Sequence, residues 1–518
     1  MATLLFERST GNISPDVFSG LQTTKLLSSF RSAPRFRFDS GERFVAAGPS
    51  SASDPREPDD SSVTGGIPIW AHPAGVNALA LERFDGRILV SGGADGAIKL
   101  WDLEQNPNPT PPHTYRAVAS IPRAGPGSDS KAAAAGHRFG VTHLSFYPFD
   151  SAAFLSCSYD QTLKLWSTET ARVSGSFDLG AKAYTHAISP IASHLLVACG
   201  TQHPAVRLVD LRSSAAVQSL VSPGQIGGSA GAALAVTWSP VHEHVLAAGS
   251  ADGAVRIWDV RRANGLVGLL DQEDSLGPLH PSRVPLLGEA AAGGAGTGTD
   301  PGIQGLRDRG IRASARAHTG PANGLAWTDD GAYIISTGHD RRIRVWDAAT
   351  GANTLANFGP TIRNSHVGSL TMFVSPLGLT PAKKELLFFP NETEILVMDL
   401  HEGSIVSRLR GMGPTVAAIE ARGGGERNIK NRLTSIVWRG AGGGGSSSGP
   451  VMGGTNAVGG IYSGHMDGQI RAWLPQLEGL DEEDEDNTTQ EETETRAKKR
   501  KALDNAFRSL MGRQITFT

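Results

Sequence analysis

Three sets of residues in this 518-residue chain have the makings of a hydrolytic triad with a tryptophan attached: His72, Ser91, Asp95 and Trp101; His137, Ser156, Asp160 and Trp166; His318, Ser336, Asp340 and Trp346. A serine activated by a histidine base that an aspartate orients is the arrangement for acyl transfer. Recurrence argues against that chemistry here, because an active site is needed once and a structural device once per repeat. The same groups can chain hydrogen bonds from the indole N–H through Ser and His to Asp, satisfying buried polar atoms. No other stretch offers a catalytic pattern: G-x-S-x-G occurs only inside Gly-rich insertions, at 227–231 and 445–449, and not as an elbow between a strand and a helix, and the chain has no phosphate loop, H-E-x-x-H or Cys/His metal cluster. The glycines at 442–445 sit in an insertion with no strand and helix around them. A non-catalytic binding scaffold with no catalytic residue, cofactor or metal is the expectation.

The elements that would position these sets are hairpins. S-G-G-A-D-G-A-I-K-L-W-D ends at Trp101-Asp102, and related stretches end at Trp166, Trp258-Asp259, Trp346-Asp347 and Trp473. In all five the turn aspartate (Asp95, Asp160, Asp252, Asp340, Asp467) lies six residues before the tryptophan. Four copies carry a serine four residues before that aspartate (Ser91, Ser156, Ser336, Ser463), and Ala248 is the exception. Asp-Gly between two apolar runs is a strong hairpin signal. Weaker copies end at Val209-Asp210 and Met398-Asp399, which makes seven. Trp-Asp repeats about 40 residues or more apart resemble the WD40 pattern. The fold class expected is therefore all-β: a seven-bladed WD40 β-propeller with an N-terminal helix-turn-helix leader.

Composition narrows the function. The formal charge of -3 conceals ten acids and no base at residues 478–494, and leaves residues 1–477 near +1. So neutral a body offers no broad electrostatic footprint for nucleic acid, and no direct nucleic-acid binding is expected. Cys157 and Cys199 lack metal-ligand spacing and read as buried apolar filler in a reducing compartment. The start M-A-T-L-L-F-E-R has too short an apolar run for a secretory signal, and no window is long and apolar enough to span a bilayer. A soluble, intracellular protein without a membrane partner is expected.

In chain order, residues 1–30 form the leader. Ser14-Pro15-Asp16 reads as N-cap, first-turn proline and an acid at the positive helix end, predicting a helix over 15–30. Leu4, Leu5 and Phe6 make a shorter apolar segment before it. Residues 31–66 read as a tether, with a Pro/Ser/Asp-rich stretch at 48–65. Residues 67–475 are the propeller, with first-to-last blades near 76–121, 141–177, 184–220, 234–270, 322–357, 370–409 and 433–473. Gly/Pro-rich insertions fall near 104–136, 271–313, 411–431 and 440–460, and an acidic then basic tail, expected to be disordered, occupies 476–518. Residues 67–71 are predicted to supply the outer strand missing from the last blade, closing the ring.

One departure from the repeat points to a partner. Two residues past the terminal aspartate stand Arg212 in V-D-L-R and Arg261 in W-D-V-R, on adjacent blades, where other blades have Glu104, Glu169 and Ala349. Third strands all end on one face of a propeller, so the two arginines are expected as neighbours on a docking rim. Arg496, Lys498, Lys499, Arg500 and Lys501 after the acidic run read as a nuclear-import signal, predicting a nuclear protein.

The leader, V-S-G-G-A-D-G-A-I-K-L-W-D-L, F-L-S-C-S-Y-D-Q-T-L-K-L-W, A-Y-T-H-A-I-S-P, L-A-A-G-S-A-D-G-A-V-R-I-W-D-V-R-R-A-N-G and G-A-N-T-L together resemble the Cockayne syndrome group A family. The resemblance covers most of residues 1–475; the Gly-rich insertions and Lys-Arg tail depart from it. It implies a substrate receptor of a cullin 4-RING ubiquitin ligase in transcription-coupled nucleotide excision repair. Its leader would dock into the damaged-DNA-binding protein 1 adaptor through Leu4, Leu5, Phe6, Val17, Phe18 and Leu21, with Arg212 and Arg261 contributing. The opposite face would receive the Cockayne syndrome group B helicase and the stalled RNA polymerase II assembly.

Overall fold

The computed structural model describes residues 2–14, 71–104, 113–125, 136–213, 216–221, 231–261, 265–278, 315–366, 368–376, 383–410, 432–439 and 460–475, with residues 17–18, 21, 27, 29–33, 36–41, 43–44, 67–68 and 380 between them. The expected tether at 48–65, the tail, its basic cluster and most of the Gly/Pro-rich insertions lie outside the described residues.

Seven antiparallel sheets follow one another along the chain. Blade I comprises Val76–Leu81, Ile88–Gly93, Ile98–Asp102 and His113–Ile121; blade II comprises Val141–Phe146, Ala153–Ser158, Thr162–Ser167 and Val173–Asp178. Blade III comprises Ala183–Ile188, Leu196–Thr201, Val206–Asp210 and Ala216–Leu220; blade IV comprises Ala233–Trp238, Val245–Ser250, Val255–Asp259 and Leu266–Leu269. Blade V has Ala322–Trp327, Tyr333–Gly338 and Ile343–Asp347; blade VI has Phe373–Val374, Leu386–Asn391, Glu394–Asp399 and Ile405–Leu409. Blade VII has Leu433–Arg439, Gly460–His465 and Ile470–Pro475. Each blade meets the next through its inner strands, and blade VII meets blade I, so the ring is closed. The fold is a seven-bladed WD40 β-propeller.

The repeated turn explains the repeated strands. In the second hairpin of blades I, II, IV, V and VII the aspartate carboxylate accepts the backbone N–H two residues on, from Ala97, Thr162, Ala254, Arg342 and Gln469. Such a turn presets the chain reversal. Gly253 follows its aspartate with φ +83°, and a Cβ there would stand 2.2 Å from the His318 carbonyl oxygen, so this close approach between blades IV and V requires glycine. Between the blades, Trp101, Trp166, Trp258, Trp346 and Trp473 are each at most 1% exposed. Cys157 and Cys199 are free and buried, as expected of apolar filler. Burial pushes the Cys157 thiol up to about 12, so it stays protonated and unreactive.

Closure differs from the expectation. Phe30–Ser32, and not residues 67–71, is the fourth strand of blade VII, antiparallel to Ile470–Pro475 with Phe30 opposite Pro475. Ile67–Pro68 instead pairs with Arg43–Phe44. After a turn at Ala33, Phe36–Asp39 adds in parallel to His113–Ile121 as a fifth strand of blade I. Part of the expected tether is thus a strap across the VII/I seam, and the propeller begins before residue 67. The reason is burial: Phe30 and Phe38 are at most 1% exposed, Phe30 edge-on to Trp438 and Phe38 edge-on to Trp101. Two large aromatics outweigh the short Ile-Pro-Ile stretch, whose proline also removes a ladder donor. The helix predicted over 15–30 is shorter for the same reason, since Phe30 is already strand. Ser14 does cap it, accepting the Val17 N–H at 3.3 Å, and Val17, Phe18, Leu21 and Leu27 are helical.

Blade V also departs from expectation: its fourth strand is reduced to one bridge, Trp346 to Asn353. Leu355, with φ +61°, breaks extended pairing, and Phe358 and Ile362 are drawn into the core shared with blade VI. In blade VII the inner strand is Leu433–Arg439, starting where the sequence placed that blade.

Candidate partner-docking face

The Ser/His/Asp sets assemble as hydrogen-bonded chains. In blade II the Trp166 indole N–H donates to Ser156 Oγ at 2.7 Å, Ser156 Oγ lies 2.6 Å from His137 Nε2, and His137 Nδ1 lies 2.9 Å from Asp160. Blade I repeats it with Trp101, Ser91, His72 and Asp95 at 2.9, 2.9 and 3.3 Å. Blade V does so with Trp346, Ser336, His318 and Asp340 at 2.8, 2.8 and 3.0 Å. All three serines are 0% exposed, so no substrate can reach them, and their hydroxyls are committed to indole and imidazole. Burial pushes the His137 ring below its ordinary value against the pull of Asp160. Burial alone would raise the Asp160 carboxyl, yet His137, Thr162 and the Arg138 amide together hold it below the usual carboxylate range. The chain therefore runs neutral tryptophan, serine and histidine to ionised aspartate.

Two variants escaped the sequence pattern. Blade VII takes its imidazole from His465, two residues along the same strand, whose Nε2 lies 2.8 Å from Ser463 Oγ while Arg471 pairs with Asp467 at 2.8 Å. In blade IV, Ala248 replaces the serine and the buried Trp258 Nε1 has no hydrogen-bond partner, while Arg256 holds Asp252 at 2.6 Å. The signal for the first was the histidine inside S-G-H-M-D, and for the second the Ala248 substitution itself.

The opposite end of each blade carries the loops between strands one and two and after strand three, and there lie the two arginines expected at a docking rim. Arg261 is held by its own turn: Nε and Nη2 donate to the two oxygens of Asp259 at 3.1 and 2.9 Å, leaving the side chain 63% exposed. Arg212 follows Asp210, whose carboxylate accepts the Arg212 backbone N–H at 2.9 Å, and its side chain is exposed. Both project from adjacent blades III and IV. The same face exposes Phe149, Ile191 and Val241 from the first loops of blades II, III and IV, at 47%, 45% and 50%. Sequence reasoning missed these three, because each loop reads separately as an ordinary turn.

The leader joins the ring on this face too. Phe30 pairs with Pro475, the last residue of a third strand, so the chain before Phe30 arrives where the other third strands end. Ala2–Ser9 is helical, and Phe6, Val17 and Leu21 are 66%, 51% and 41% exposed. Phe18 turns inward at 2%, with the Arg8 guanidinium 4.7 Å over its ring. Of the six apolar leader residues expected at the docking site, these three are presented outward and Phe18 is not. Leu4 and Leu5 lie in the helix, with side chains outside the description. Further along, Leu27 is fully buried with Phe30, Phe388 and Trp473.

The family model of the WD domain, G-beta repeat (WD40), matches residues 67–102, 130–167, 223–259 and 311–347, which end on the third strands of blades I, II, IV and V. WD repeat-containing protein ATCSA-1 of Arabidopsis thaliana is 32% identical over 331 residues, covering 56% of this chain and 70% of the relative. The chain belongs to the WD40-repeat family, together with this plant relative. Ribosome biogenesis protein YTM1 of Phaeosphaeria nodorum is 26% identical over 349 residues, 64% of this chain and 67% of the relative. Radiation-sensitive protein 28 of Saccharomyces cerevisiae is 25% identical over 221 residues, 42% of this chain and 40% of the relative. In this WD40 propeller no group of three or more His, Cys, Asp or Glu among the described residues is placed to hold a metal ion. No helix among them is long and apolar enough to cross a membrane.

Proposed function

We propose that this propeller is the substrate-recognition subunit of a cullin 4-RING ubiquitin ligase acting in transcription-coupled nucleotide excision repair. The observation that carries the reading is the sharing of one face by an apolar leader and two exposed arginines. A surface of aromatic and aliphatic anchors with arginine at hand is the composition of an interface centre. The similarity to WD repeat-containing protein ATCSA-1 supports the family resemblance drawn from the sequence. In this reading the leader and the arginine rim dock on the damaged-DNA-binding protein 1 adaptor. The other face receives the Cockayne syndrome group B helicase and the stalled RNA polymerase II assembly. The chain catalyses nothing itself and raises the effective concentration of a target lysine near the charged enzyme. The basic cluster at 496–501 directs it to the nucleus.

Binding of the full chain to immobilised damaged-DNA-binding protein 1 tests this. Removal of residues 1–21, which spares the buried Leu27 and Phe30, should abolish binding, and Arg261→Ala should weaken it by roughly tenfold. Full-strength binding by both variants, or none by the parent chain, rejects the reading. The similarity to YTM1 favours a second reading, a scaffold in ribosome assembly. Co-sedimentation with pre-ribosomal particles in place of adaptor binding would select it.

A further inference from the structure

We infer that a row of exposed aromatics on blades II and III is the docking site for a short peptide segment of a target protein in which an apolar side chain stands beside a carboxylate. The row lies at the end of the blades opposite the leader, Arg212 and Arg261. Phe139 sits in the loop before the first strand of blade II, Tyr159 opens the turn between that blade's second and third strands, and Tyr184 is the second residue of blade III. Hydrogen bonds set the two loops of blade II side by side: Ser158 Oγ donates to the Phe139 carbonyl at 2.9 Å, and the Tyr159 N–H donates to the Gly140 carbonyl at 3.3 Å. The Tyr159 and Tyr184 rings meet edge to face, with centroids 6.1 Å apart. Phe139 is 56% exposed, Tyr159 is 38% exposed and Tyr184 is half-buried. None of the three takes part in the chain from Trp166 to Asp160 that holds the blade. Exposed aromatics with no such structural duty are the anchors of an interface centre.

Charge selects the occupant. Arg138 precedes Phe139 and Lys182 lies two residues before Tyr184; both side chains are exposed, and neither makes an ion pair among the described residues. Arg123, also exposed, donates from Nε to the Arg138 carbonyl at 2.8 Å and adds a third cation. The turn aspartates of blades I and II are committed: the side chains of Asp95 and Asp160 are 18% and 5% exposed and pair with His72 and His137. Blade III has no turn aspartate and presents Gln202 and His203 instead. The exposed carboxylate of this sector is Asp178, at the end of the outer strand of blade II, where it accepts the Gly180 N–H at 2.8 Å. Cations therefore outnumber available anions around the rings, which favours a carboxylate in the occupant and disfavours a lysine or a methylated ammonium. Single-stranded nucleic acid also stacks on aromatics, but it needs a basic groove along its backbone, and the neutral turn of blade III interrupts one here. The inference deepens, and rests on, the reading that the face opposite the leader receives the target.

A phage-displayed random dodecapeptide library panned on the full chain supplies the probe, and selected peptides, synthesised with a fluorophore, are titrated by anisotropy. The expected result is a consensus of Asp or Glu beside an aliphatic or aromatic residue, with affinity roughly tenfold weaker for Phe139→Ala and for Arg138→Glu. A lysine replacing the peptide's acid should restore binding to Arg138→Glu. Both positions are exposed, so the loss should come with an unchanged urea midpoint. Arg261→Ala, which should weaken adaptor binding, should leave peptide binding unchanged, so failure of the adaptor reading and failure of this one are told apart. Four results would overturn the inference: no enrichment, a consensus without acids, affinity unchanged in both variants, or tighter binding of single-stranded oligothymidylate than of any selected peptide. Binding seen only after residues 126–135 are removed would also overturn it, by showing that the chain's own insertion covers the rings.

Discussion

Ser156→Ala is the sharpest test of the assignment of the Ser/His/Asp sets to structure. Ser156 Oγ accepts the Trp166 indole N–H at 2.7 Å and lies 2.6 Å from His137 Nε2, with serine and histidine both 0% exposed. Removing the hydroxyl orphans two buried polar atoms at once. Each unsatisfied buried group costs about 1–3 kcal/mol, so the expected loss is about 2–5 kcal/mol after partial relaxation. No hydrophobic gain offsets it, because the methyl that remains was already buried. Among the described residues Trp258 Nε1, beside Ala248, is already such an orphan, and adding another of the same kind should be tolerated but costly. Urea unfolding followed by tryptophan fluorescence measures the shift, with Ser174→Ala on the exposed outer strand as the control. A loss below about 0.5 kcal/mol would refute the argument that these bonds hold the blade.

Other outcomes follow from the same geometry. Ala248→Ser should supply the missing acceptor for Trp258 and raise the urea midpoint, by about 1 kcal/mol in stability terms; an unchanged midpoint would mean that blade IV satisfies its tryptophan by other means. Phe30→Ala should cost about 3–5 kcal/mol and loosen the ring at the VII/I seam, read as lowered thermal stability and faster proteolysis after blade VII. Burial lowers the rings of His143 and His366 to about 4 from an ordinary 6.5. With the folded value below the unfolded one, the neutral-ring stabilisation is complete above about pH 6.5 and is lost as pH falls toward 4. Each ring should steepen the decline by up to ~1.4 kcal/mol per pH unit in that window. His143→Asn should flatten the measured stability profile there, and an unaltered slope would exclude the ring as its source.

The face shared by leader and arginines changes how truncations should be made. Removing residues 1–30 as a unit takes away Leu27 and Phe30, which belong to the core of blade VII, and confounds loss of docking with loss of the ring. The leader and the clasp are one continuous segment, so the proposed docking element is tied directly to what closes the propeller. The strand from Phe30 fixes where the leader emerges, and the exposed Phe6, Val17 and Leu21 are presented from that point.

Seven repeats, the five buried tryptophans, the turn aspartates and the polar chains of blades I, II and V were all readable in the sequence. They depend on spacing within about 30 residues, where the ladder and the turn chemistry determine geometry locally. Arg212 and Arg261 were placed on one face by the same logic, since every third strand must end on the same side. The sequence could not show which distant segment closes the ring, because F-R-S at 30–32 and I-P-I-W-A at 67–71 are both too short for their pattern to choose between them. The choice lay in how much aromatic surface each could bury against blades VII and I, where Phe30 pairs with the far end of the propeller at Pro475. Nor could it show that blade V has only three strands and one bridge among the described residues, since G-A-N-T-L extends as readily as any other run until the pull of Phe358 and Ile362 toward blade VI turns Leu355 left-handed. Local hydrogen bonding determined the blades; competition for buried surface between segments remote in sequence decided the clasp and the short outer side of blade V.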